Sequence, residues 1–251
     1  MEVFDLLTQH VSVRDFEAIP LSAATKQQLL TAAHAGSSSN FVQATSIIEV
    51  QAPALRNELA EISQSAAYVK KSGAFFVFVA DLYRQVHLLE AAGQPVAPVT
   101  NLESFLVSVV DTTIAAENMA VAAEAQGLGI CFIGGLRNDL ARVAELLHLP
   151  KYTVPLFGLT IGVPRHKNGV KPRLPLANFT AVDTYPAAQF TALGDYDEVV
   201  RDYYLHRPSH PKDTDWTTTQ RDFFATLRTR TGQRLSGTFL RPCAGQPSPP
   251  L

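Results

Sequence analysis

Hydrophobic residues recur at two different spacings along the chain, and each spacing predicts one kind of element. Two runs rich in β-branched and aromatic residues have the length of strands, at residues 46–50 and 74–80. A charged stretch between them, from about residue 54 to 62, has the character of a helix. Another helix is predicted over residues 22–35, because Ser22 stands where serine caps helices and Gly36 follows its end. Strands thus alternate with helices in this part of the chain.

The longest periodic segment runs from about residue 102 to 126 and predicts the central, largely buried helix. Its repeating apolar positions are Leu102, Phe105, Leu106, Val109, Val110, Ile114 and Val121. Gly127 and Gly129 end this helix, and the apolar run at residues 130–133 predicts a buried strand. Gly134 and Gly135 then lead into a helix over about residues 138–147.

The C-terminal part of the chain contains a predicted strand over residues 156–163 and helices over about residues 195–205 and 217–229. Helices outnumber strands, and the strands are too scattered for a βαβ series, so an α+β sandwich is expected instead of a doubly wound sheet. We expect one domain over residues 1–241, with a helical extension at about residues 195–240. The Pro-rich tail at residues 242–251 is predicted to be disordered.

Composition narrows the classes of partner. The 251 residues carry 21 Lys and Arg against 23 Asp and Glu, and this balance gives no long-range attraction to nucleic acid or to anionic lipid. The two cysteines, Cys131 and Cys243, form no CxxC pair, which indicates a reducing compartment. The N-terminus lacks the basic and apolar regions of a signal peptide, and the apolar run at residues 74–80 is too short to cross a bilayer. A soluble, cytoplasmic protein is expected.

Several common motifs are missing from the sequence. The glycines around residues 127–135 match neither the dinucleotide fingerprint nor the phosphate-binding P-loop. There is no HExxH zinc motif and no nucleophile elbow around a serine. Six of the seven histidines do not have the spacing of metal ligands, so no metal site is predicted. These histidines are assigned to the surface or the core: His34, His87, His148, His166, His206 and His210.

Two short clusters near the N-terminus have the residue types of a ligand site. In the first, His10, Ser12 and Arg14 alternate with apolar residues, so all three side chains lie on one side of an extended segment, where they suit a phosphate group. The alternative is a solvated edge after the first helix. The second is the small polar run at residues 36–40, which suits close approach of a ligand or is simply a flexible turn.

Two more clusters follow predicted strands. Gly134 and Gly135 lie between a strand and a helix, where backbone amides can face an electron-rich ligand atom, although a tight turn explains them equally well. Lys171 and Arg173 are held at a fixed spacing by the intervening proline, yet surface cations are usually only solvated. Taken together, the four clusters predict a flat, anionic ligand that carries a phosphate, as a mononucleotide cofactor does.

Six ordered motifs between about residues 3 and 230 resemble the oxygen-insensitive NADPH nitroreductase and flavin reductase family, of the major type. They are His10-x-Ser12-x-Arg14-x-Phe16, Ser37-Ser38-Ser39-Asn40 with Gln43, the run at residues 75–81, Ile133-Gly134-Gly135-Leu136-Arg137-Asn138, the run at residues 156–162, and Lys171-Pro172-Arg173-Leu174-Pro175. The resemblance implies a nitroreductase-like α-β sandwich, with a central mixed or antiparallel sheet flanked by helices, in an intertwined homodimer that binds FMN at its interface.

The resemblance also implies roles for individual residues. The flavin phosphate would contact His10, Ser12, Arg14, Lys171 and Arg173. The rest of the flavin would lie against Ser38, Ser39, Tyr68, Phe132, Ile133, Gly134 and Gly135. Arg207 matches a basic position associated with the NADPH phosphate, and Phe41 and Phe132 are candidate walls of the substrate cleft. No side chain is expected to act as a catalytic acid or base, because the hydride chemistry belongs to flavin N5.

The implied activity is a ping-pong, two-electron cycle in which NADPH reduces FMN and a nitroaromatic, quinone or related acceptor is then reduced. Two positions depart from the family: Val11 stands where a second Arg is frequent, and Ala66 stands where a Gln is frequent. Each loss would weaken FMN binding by about 1 kcal/mol unless another residue compensates, as Gln64 or Ser65 could for the amide. Two alternatives stay open, a reductase that supplies free reduced flavin and a non-catalytic flavin-binding protein.

Overall fold

The computed structural model describes residues 2–230, in which helices surround a small antiparallel sheet. The helices are α1 (Val3–Thr8), α2 (Ala23–His34), α3 (Pro53–Ile62), α4 (Ala66–Lys71), α5 (Tyr83–Ala91), α6 (Leu102–Ala125), α7 (Leu140–Leu146), α8 (Ala187–Thr191), α9 (Tyr196–His206) and α10 (Trp216–Arg230). The strands are β1 (Asp15–Phe16), β2 (Thr45–Glu49), β3 (Ala74–Asp81), β4 (Gly129–Ile133), β5 (Thr153–Gly162) and β6 (Pro164–His166). The predicted α+β class is confirmed.

The main sheet has the strand order β2-β3-β5-β4 and is antiparallel throughout. Every residue of β3 is buried, which explains why its sequence is continuously apolar instead of alternating. β1 and β6 form a separate two-stranded ribbon. A parallel bridge between Ser12 and Ile130 joins the N-terminal segment to β4, at the edge of the main sheet.

Two hydrophobic clusters lie on the two faces of this sheet. One packs α2 and α6 against one face of the sheet, with Phe76, Phe78 and Met119 at its centre. The other packs α3, α4 and α7 against the opposite face, around Phe75, Val77 and Leu136. Side chains that alternate along β3 therefore enter opposite clusters, as the pleat of a strand requires. The result is a three-layer arrangement of helix, sheet and helix.

The central helix α6 is confirmed, and Asn101 caps it by accepting a hydrogen bond from the Ser104 amide. By length and composition α6 is apolar enough to cross a membrane, and it is the one described helix for which this holds. Its Ala115, Ala116 and Met119 are buried in the core between α2 and the sheet, where the central helix of a globular protein belongs.

Some local predictions were incomplete. The helix expected over residues 138–147 begins later, at Leu140, because a short 3-10 helix occupies Gly134–Asp139. The helices α4, α5 and α8 were not predicted, and each has fewer than ten residues. The helices predicted over residues 195–205 and 217–229 are confirmed as α9 and α10. Residues 231–240 of the predicted extension, the tail at residues 242–251 and Cys243 lie outside the described residues.

Candidate functional site

One cleft of about 670 Å³ collects side chains that are far apart in the sequence. It is bordered by the N-terminal segment (residues 9–14), by α4, by the loop after β6 (residues 167–175, the basic loop) and by the C-terminal end of α9. Six of the predicted ligand residues line it together: His10, Ser12, Arg14, Lys171, Arg173 and Arg207. The structure therefore unites two clusters that the sequence separates by more than half of the chain.

The N-terminal segment is held in place by the edge of the sheet. The Val13 amide donates a hydrogen bond to the carbonyl oxygen of Ile130 at 2.8 Å, and the Val13 side chain is 1% exposed. Val13 sits so close to Gly129 that a Cβ at residue 129 would lie 2.6 Å from Val13 Cγ2. Because side chains alternate along an extended backbone, burial of Val13 directs Ser12 and Arg14 to the cleft.

His10 is oriented by a carboxylate at the end of α6. Its Nδ1 lies 2.8 Å from Glu124 Oε1, and its Nε2 lies 3.4 Å from Ser12 Oγ. An ionised carboxylate only accepts hydrogen bonds, so Nδ1 carries a proton and donates to Glu124. This contact fixes the imidazole beside Ser12 at the cleft wall.

The charge of the cleft is strongly unbalanced. Among the described residues that line it, Asp15 is the single carboxylate. The cationic side chains are five: Arg14, Lys71, Lys171, Arg173 and Arg207. Within residues 2–230, no salt bridge is formed by Arg14, Lys71 or Arg173. A concave site with this surplus of positive charge attracts anions and suits phosphate groups.

Three tyrosine hydroxyls of α9 fix the basic loop. Tyr203 donates to the carbonyl oxygen of Gly169 and Tyr196 donates to that of Pro172, both at 3.1 Å. Tyr204 Oη accepts a hydrogen bond of 2.5 Å from Lys171 Nζ. The loop is thus held at three successive points by one helix.

The two buried tyrosines of α9 differ in acidity. Burial raises the pKa of Tyr196, and the charge of Arg173 opposes this shift only in part. Burial also acts to raise the pKa of Tyr204, but the hydrogen bond from Lys171 and the charges of Lys171, Lys212 and Arg207 outweigh it. The pKa of Tyr204 therefore lies below the ordinary value for tyrosine.

The serine loop (residues 37–43) does not line this cleft, although Ser38 and Ser39 were predicted to contact the same ligand. It is tied to α6 by Asp111, which is 2% exposed. Ser38 Oγ donates to Asp111 at 2.7 Å, and the amides of Ser39 and Ala44 donate to it at 3.1 and 3.0 Å. The carboxylate thus holds both ends of the loop, while Arg84 and Gln85 donate to the carbonyl oxygens of Gln43 and Val42 near its C-terminal end.

The backbone of the serine loop is strained. Asn40, Phe41 and Gln43 have φ values of 47°, 58° and 52°, in the left-handed region that residues other than glycine rarely adopt. Phe41 is also 79% exposed. Strain of this kind persists where the surrounding structure enforces it, and it is frequent at ligand-binding segments.

The predicted glycine turn lies beside the connection between α3 and α4. A Cβ at Gly135 would come within 2.1 Å of the Ser63 carbonyl oxygen, so only glycine fits there. Ile133 is buried, and Tyr68 donates to Ser65 Oγ at 2.8 Å. These residues, together with Gly134 and Phe132, are not among those that line the cleft.

Several lining residues were not predicted from the sequence. Lys71 reaches the cleft from the unpredicted helix α4, and His166 and His210, which had been assigned to the surface or the core, are exposed at its border. Tyr204 and Asn168 also line it. The family resemblance implied a role for Arg207, but nothing in the sequence distinguished Tyr204 from its neighbour Tyr203. Across residues 2–230, no three His, Cys, Asp or Glu side chains are grouped to hold a metal ion.

Comparison with known proteins gives consistent matches along the chain. The model of the nitroreductase family matches residues 7–163, and that of the nitroreductase family C-terminal domain matches residues 171–237. An FMN reductase (NADPH) of Bacillus subtilis is 40% identical over 217 residues, which cover 85% of this chain and 87% of the relative. An NADPH-dependent oxidoreductase of Staphylococcus epidermidis is 42% identical over 222 residues, or 86% of this chain and 88% of the relative.

The fold agrees with a solved structure of the same kind. The NfrA1 nitroreductase of B. subtilis superposes with a TM-score of 0.85 and 38% sequence identity, covering 92% of this chain and 95% of that one. The family matches span the N-terminal segment, the serine loop, the glycine turn, the basic loop and α9. The chain belongs to the nitroreductase family.

Proposed function

We propose that this chain is an FMN-dependent NADPH oxidoreductase that reduces nitroaromatics, quinones or related small molecules in a ping-pong, two-electron cycle. The observation that carries this proposal is the cleft in which five cations face one carboxylate. One phosphate monoester does not need so many cations, whereas FMN and NADPH together bring several phosphate groups. The names of the relatives, an FMN reductase (NADPH) and an NADPH-dependent oxidoreductase, support the same pair of nucleotides.

The residues present suit the flavin phosphate. Arg14 and Arg173 are free of salt bridges within the described part of the chain, and Ser12 supplies a short hydroxyl donor beside His10. Lys71 lines the same cleft as Val11 and supplies a cation that would compensate for the Arg frequent at that position in the family. When bound, FMN supplies the hydride chemistry at its N5. The protein would bind and orient the nucleotides, and Lys171 would hold the flavin phosphate together with Arg14 and Arg173.

Arg207 is proposed to bind the phosphate that distinguishes NADPH from NADH. Its guanidinium is half-buried in the cleft and donates to the His210 carbonyl oxygen through Nε at 2.8 Å and through a second nitrogen. The substitution Arg207→Ala should raise KM for NADPH about tenfold and leave KM for NADH within twofold, because a lost charge-assisted contact is worth about 1.5 kcal/mol or more.

Arg201→Ala is the matched control for this experiment. Arg201 lies on the same helix but pairs with Asp213 through two contacts of 2.5 and 2.8 Å and does not line the cleft. Its loss should leave both KM values unchanged. Equal effects of Arg207→Ala on NADPH and NADH would contradict the proposed role.

A homodimer is proposed to complete the site. The side of α6 away from the sheet exposes Leu102, Leu106 and Val110 at helical spacing, an apolar row that a second copy would cover. The same helix holds the serine loop through Asp111, so the interface that covers α6 also brings Ser38, Ser39 and Phe41 to a shared flavin site. Gly134, Gly135, Tyr68 and Phe132 would contribute to that shared site as well.

The dimer is tested by the mass of the protein in solution. Leu106→Arg should convert a dimer into a monomer in sedimentation analysis, because it places a charge in an apolar interface. Leu88→Arg is the control, since Leu88 is an exposed leucine on α5. A wild-type monomer, or a dimer unaffected by Leu106→Arg, would contradict the proposed interface.

A reductase that supplies free reduced flavin is the second candidate. The observation that favours it is Val11, a neutral side chain at the cleft wall where the family often has Arg. Weak retention of FMN during gel filtration, together with turnover of added free FMN by NADPH, would support this alternative.

We also propose a cytoplasmic location, one domain over residues 1–241, and partners limited to a second copy and small molecules, without nucleic acid or membrane.

A further inference from the structure

Tyr204 lies between the two parts of the cleft to which the proposed function assigns different phosphate groups. Only 7% of the residue is exposed, and it belongs to a small core with Tyr196 and Val200 of α9. The neighbouring tyrosine Tyr203 packs edge-on against it, with ring centroids 5.5 Å apart. The ring is therefore fixed in direction, although its surface reaches the cleft.

The hydroxyl of Tyr204 contacts Lys171 of the basic loop. Lys171 Nζ donates to Tyr204 Oη at 2.5 Å, a short contact between an ammonium group and a phenol oxygen. Lys171 is otherwise a long, exposed side chain, whose rotamers are costly to fix when a ligand binds. Since the phenol accepts this bond, its own hydrogen stays available to an acceptor in the cleft.

The ring of Tyr204 lies near three cations. The guanidinium carbon of Arg207 is 4.7 Å from the ring centroid, and the Nζ atoms of Lys171 and Lys212 are each 4.8 Å from it. All three distances are within the range of a cation-π contact, but only Lys171 also donates to the hydroxyl. Arg207 also donates to the carbonyl oxygen of His210, so backbone and ring together set its direction.

We propose that Tyr204 is the positioning residue that joins the two phosphate-binding parts of the cleft, holding Lys171 for FMN through its hydroxyl and Arg207 for NADPH through its ring. The inference rests on the proposed function, which assigns the two cations to the two nucleotides. Three cations around one side chain repel each other, and the phenol oxygen and the electron-rich ring face offset that repulsion before any ligand binds. Ligands then meet cations that are already in place.

The two contacts use different atoms, so two substitutions separate them. Tyr204→Phe removes the hydroxyl and keeps the ring. It should raise the dissociation constant of FMN about fivefold in a fluorescence-quenching titration, because one hydrogen bond to a charged group is lost. KM for NADPH should stay within twofold of the wild type, since Arg207 keeps its ring.

Tyr204→Leu removes the ring as well. It should weaken FMN at least as much as Tyr204→Phe, because Lys171 loses the ring as well as the hydroxyl, and it should also raise KM for NADPH about fivefold, with KM for NADH unchanged. Thermal unfolding of both variants checks that the core around α9 persists. Tyr83→Phe is the matched control, because it removes a hydroxyl from a tyrosine on α5 that does not line the cleft.

An unchanged FMN dissociation constant in Tyr204→Phe would overturn the role of the hydroxyl. An NADPH KM that rises as much in Tyr204→Phe as in Tyr204→Leu would overturn the division between hydroxyl and ring. These failures are distinct from failure of the proposed function, in which the wild-type protein itself does not bind FMN or is not reduced by NADPH. If Lys171→Ala weakens FMN but Tyr204→Phe does not, the cation assignment stands and the inference on Tyr204 is wrong.

Discussion

The serine loop and the basic loop are both candidate ligand-binding segments, but they are held in opposite ways. In the serine loop, Ser38 and Ser39 both donate to one buried carboxylate, that of Asp111, and the backbone is strained. The basic loop is fastened by the tyrosine side chains of one helix, α9. Several hydrogen bonds to one buried carboxylate concentrate the stability of a loop in one residue, whereas contacts to three separate tyrosines distribute it. The first loop should therefore fail abruptly on substitution, and the second should weaken by steps.

The largest effect is expected at Asp111. Asp111→Ala leaves the buried amide of Ala44, and the part-buried amide of Ser39 and hydroxyl of Ser38, without their acceptor. The free energy of unfolding in urea should fall by about 3 kcal/mol. Asp139→Ala is the control, because Asp139 accepts a single capping bond from the Arg142 amide and its loss should cost about 1 kcal/mol. Equal losses in the two variants would remove the proposed contrast.

A smaller effect, on FMN binding, is expected when the positive charge of Lys71 on α4 is removed. Lys71→Ala should raise the dissociation constant of FMN about tenfold, because Lys71 lines the cleft and replaces the cation missing at Val11. Lys70→Ala is the matched control, since Lys70 pairs with Glu61 at 2.6 Å outside the cleft. Equal FMN affinity in both variants would show that Lys71 does not compensate for Val11.

A still smaller effect is expected at the individual tyrosine contacts of the basic loop. Tyr196→Phe removes one hydrogen bond, to the Pro172 carbonyl oxygen, and should lower the free energy of unfolding by about 1 kcal/mol. The same urea experiment as for Asp111→Ala gives the comparison directly. A loss as large as that of Asp111→Ala would mean that the loop depends on one residue after all.

The finest distinction is spectroscopic. Tyr204 should ionise below the ordinary range of tyrosine, because its cations outweigh burial, and Tyr196 should ionise above it, because burial dominates. When the ultraviolet absorbance of tyrosinate is followed as pH rises, the earliest step of the wild-type titration should therefore be missing in Tyr204→Phe. A late step should be missing in Tyr196→Phe. An earliest step that persists in Tyr204→Phe would mean that Lys171 is not bound to the Tyr204 hydroxyl in solution.

Sequence patterns predicted the elements with a long or strong period. The helix α6 and the strand β3 were found because their apolar residues persist over many positions. The helix α4 is only six residues long and shows no such apolar period, so it was not predicted and Lys71 was missed. His10, Ser12 and Arg14 were predicted to share one side of the N-terminal segment from alternation within five residues, and all three line the cleft. Contacts between side chains that are distant in the sequence leave no comparable pattern in it.

The candidate site shows the same limit. Arg14, Lys171, Arg173 and Arg207 were chosen as single motifs, and their union in one cleft depends on how α9 packs beside the N-terminal segment. Tyr204 contacts Lys171 across 33 positions of sequence, and Asp111 contacts Ser38 across 73. Neither the spacing of the tyrosines nor an acidic residue within an apolar helix indicates such a partner in the sequence. Residues that hold ligand-binding groups in place are thus harder to predict than those groups themselves.

Anaerobic titration of the FMN-loaded protein with NADPH shows whether NADPH reduces a flavin bound in this cleft. The visible flavin absorbance should bleach rapidly and return when a nitroaromatic or a quinone is added. A flavin that binds but stays oxidised with excess NADPH would overturn the proposed reduction and would identify a non-catalytic flavin-binding protein.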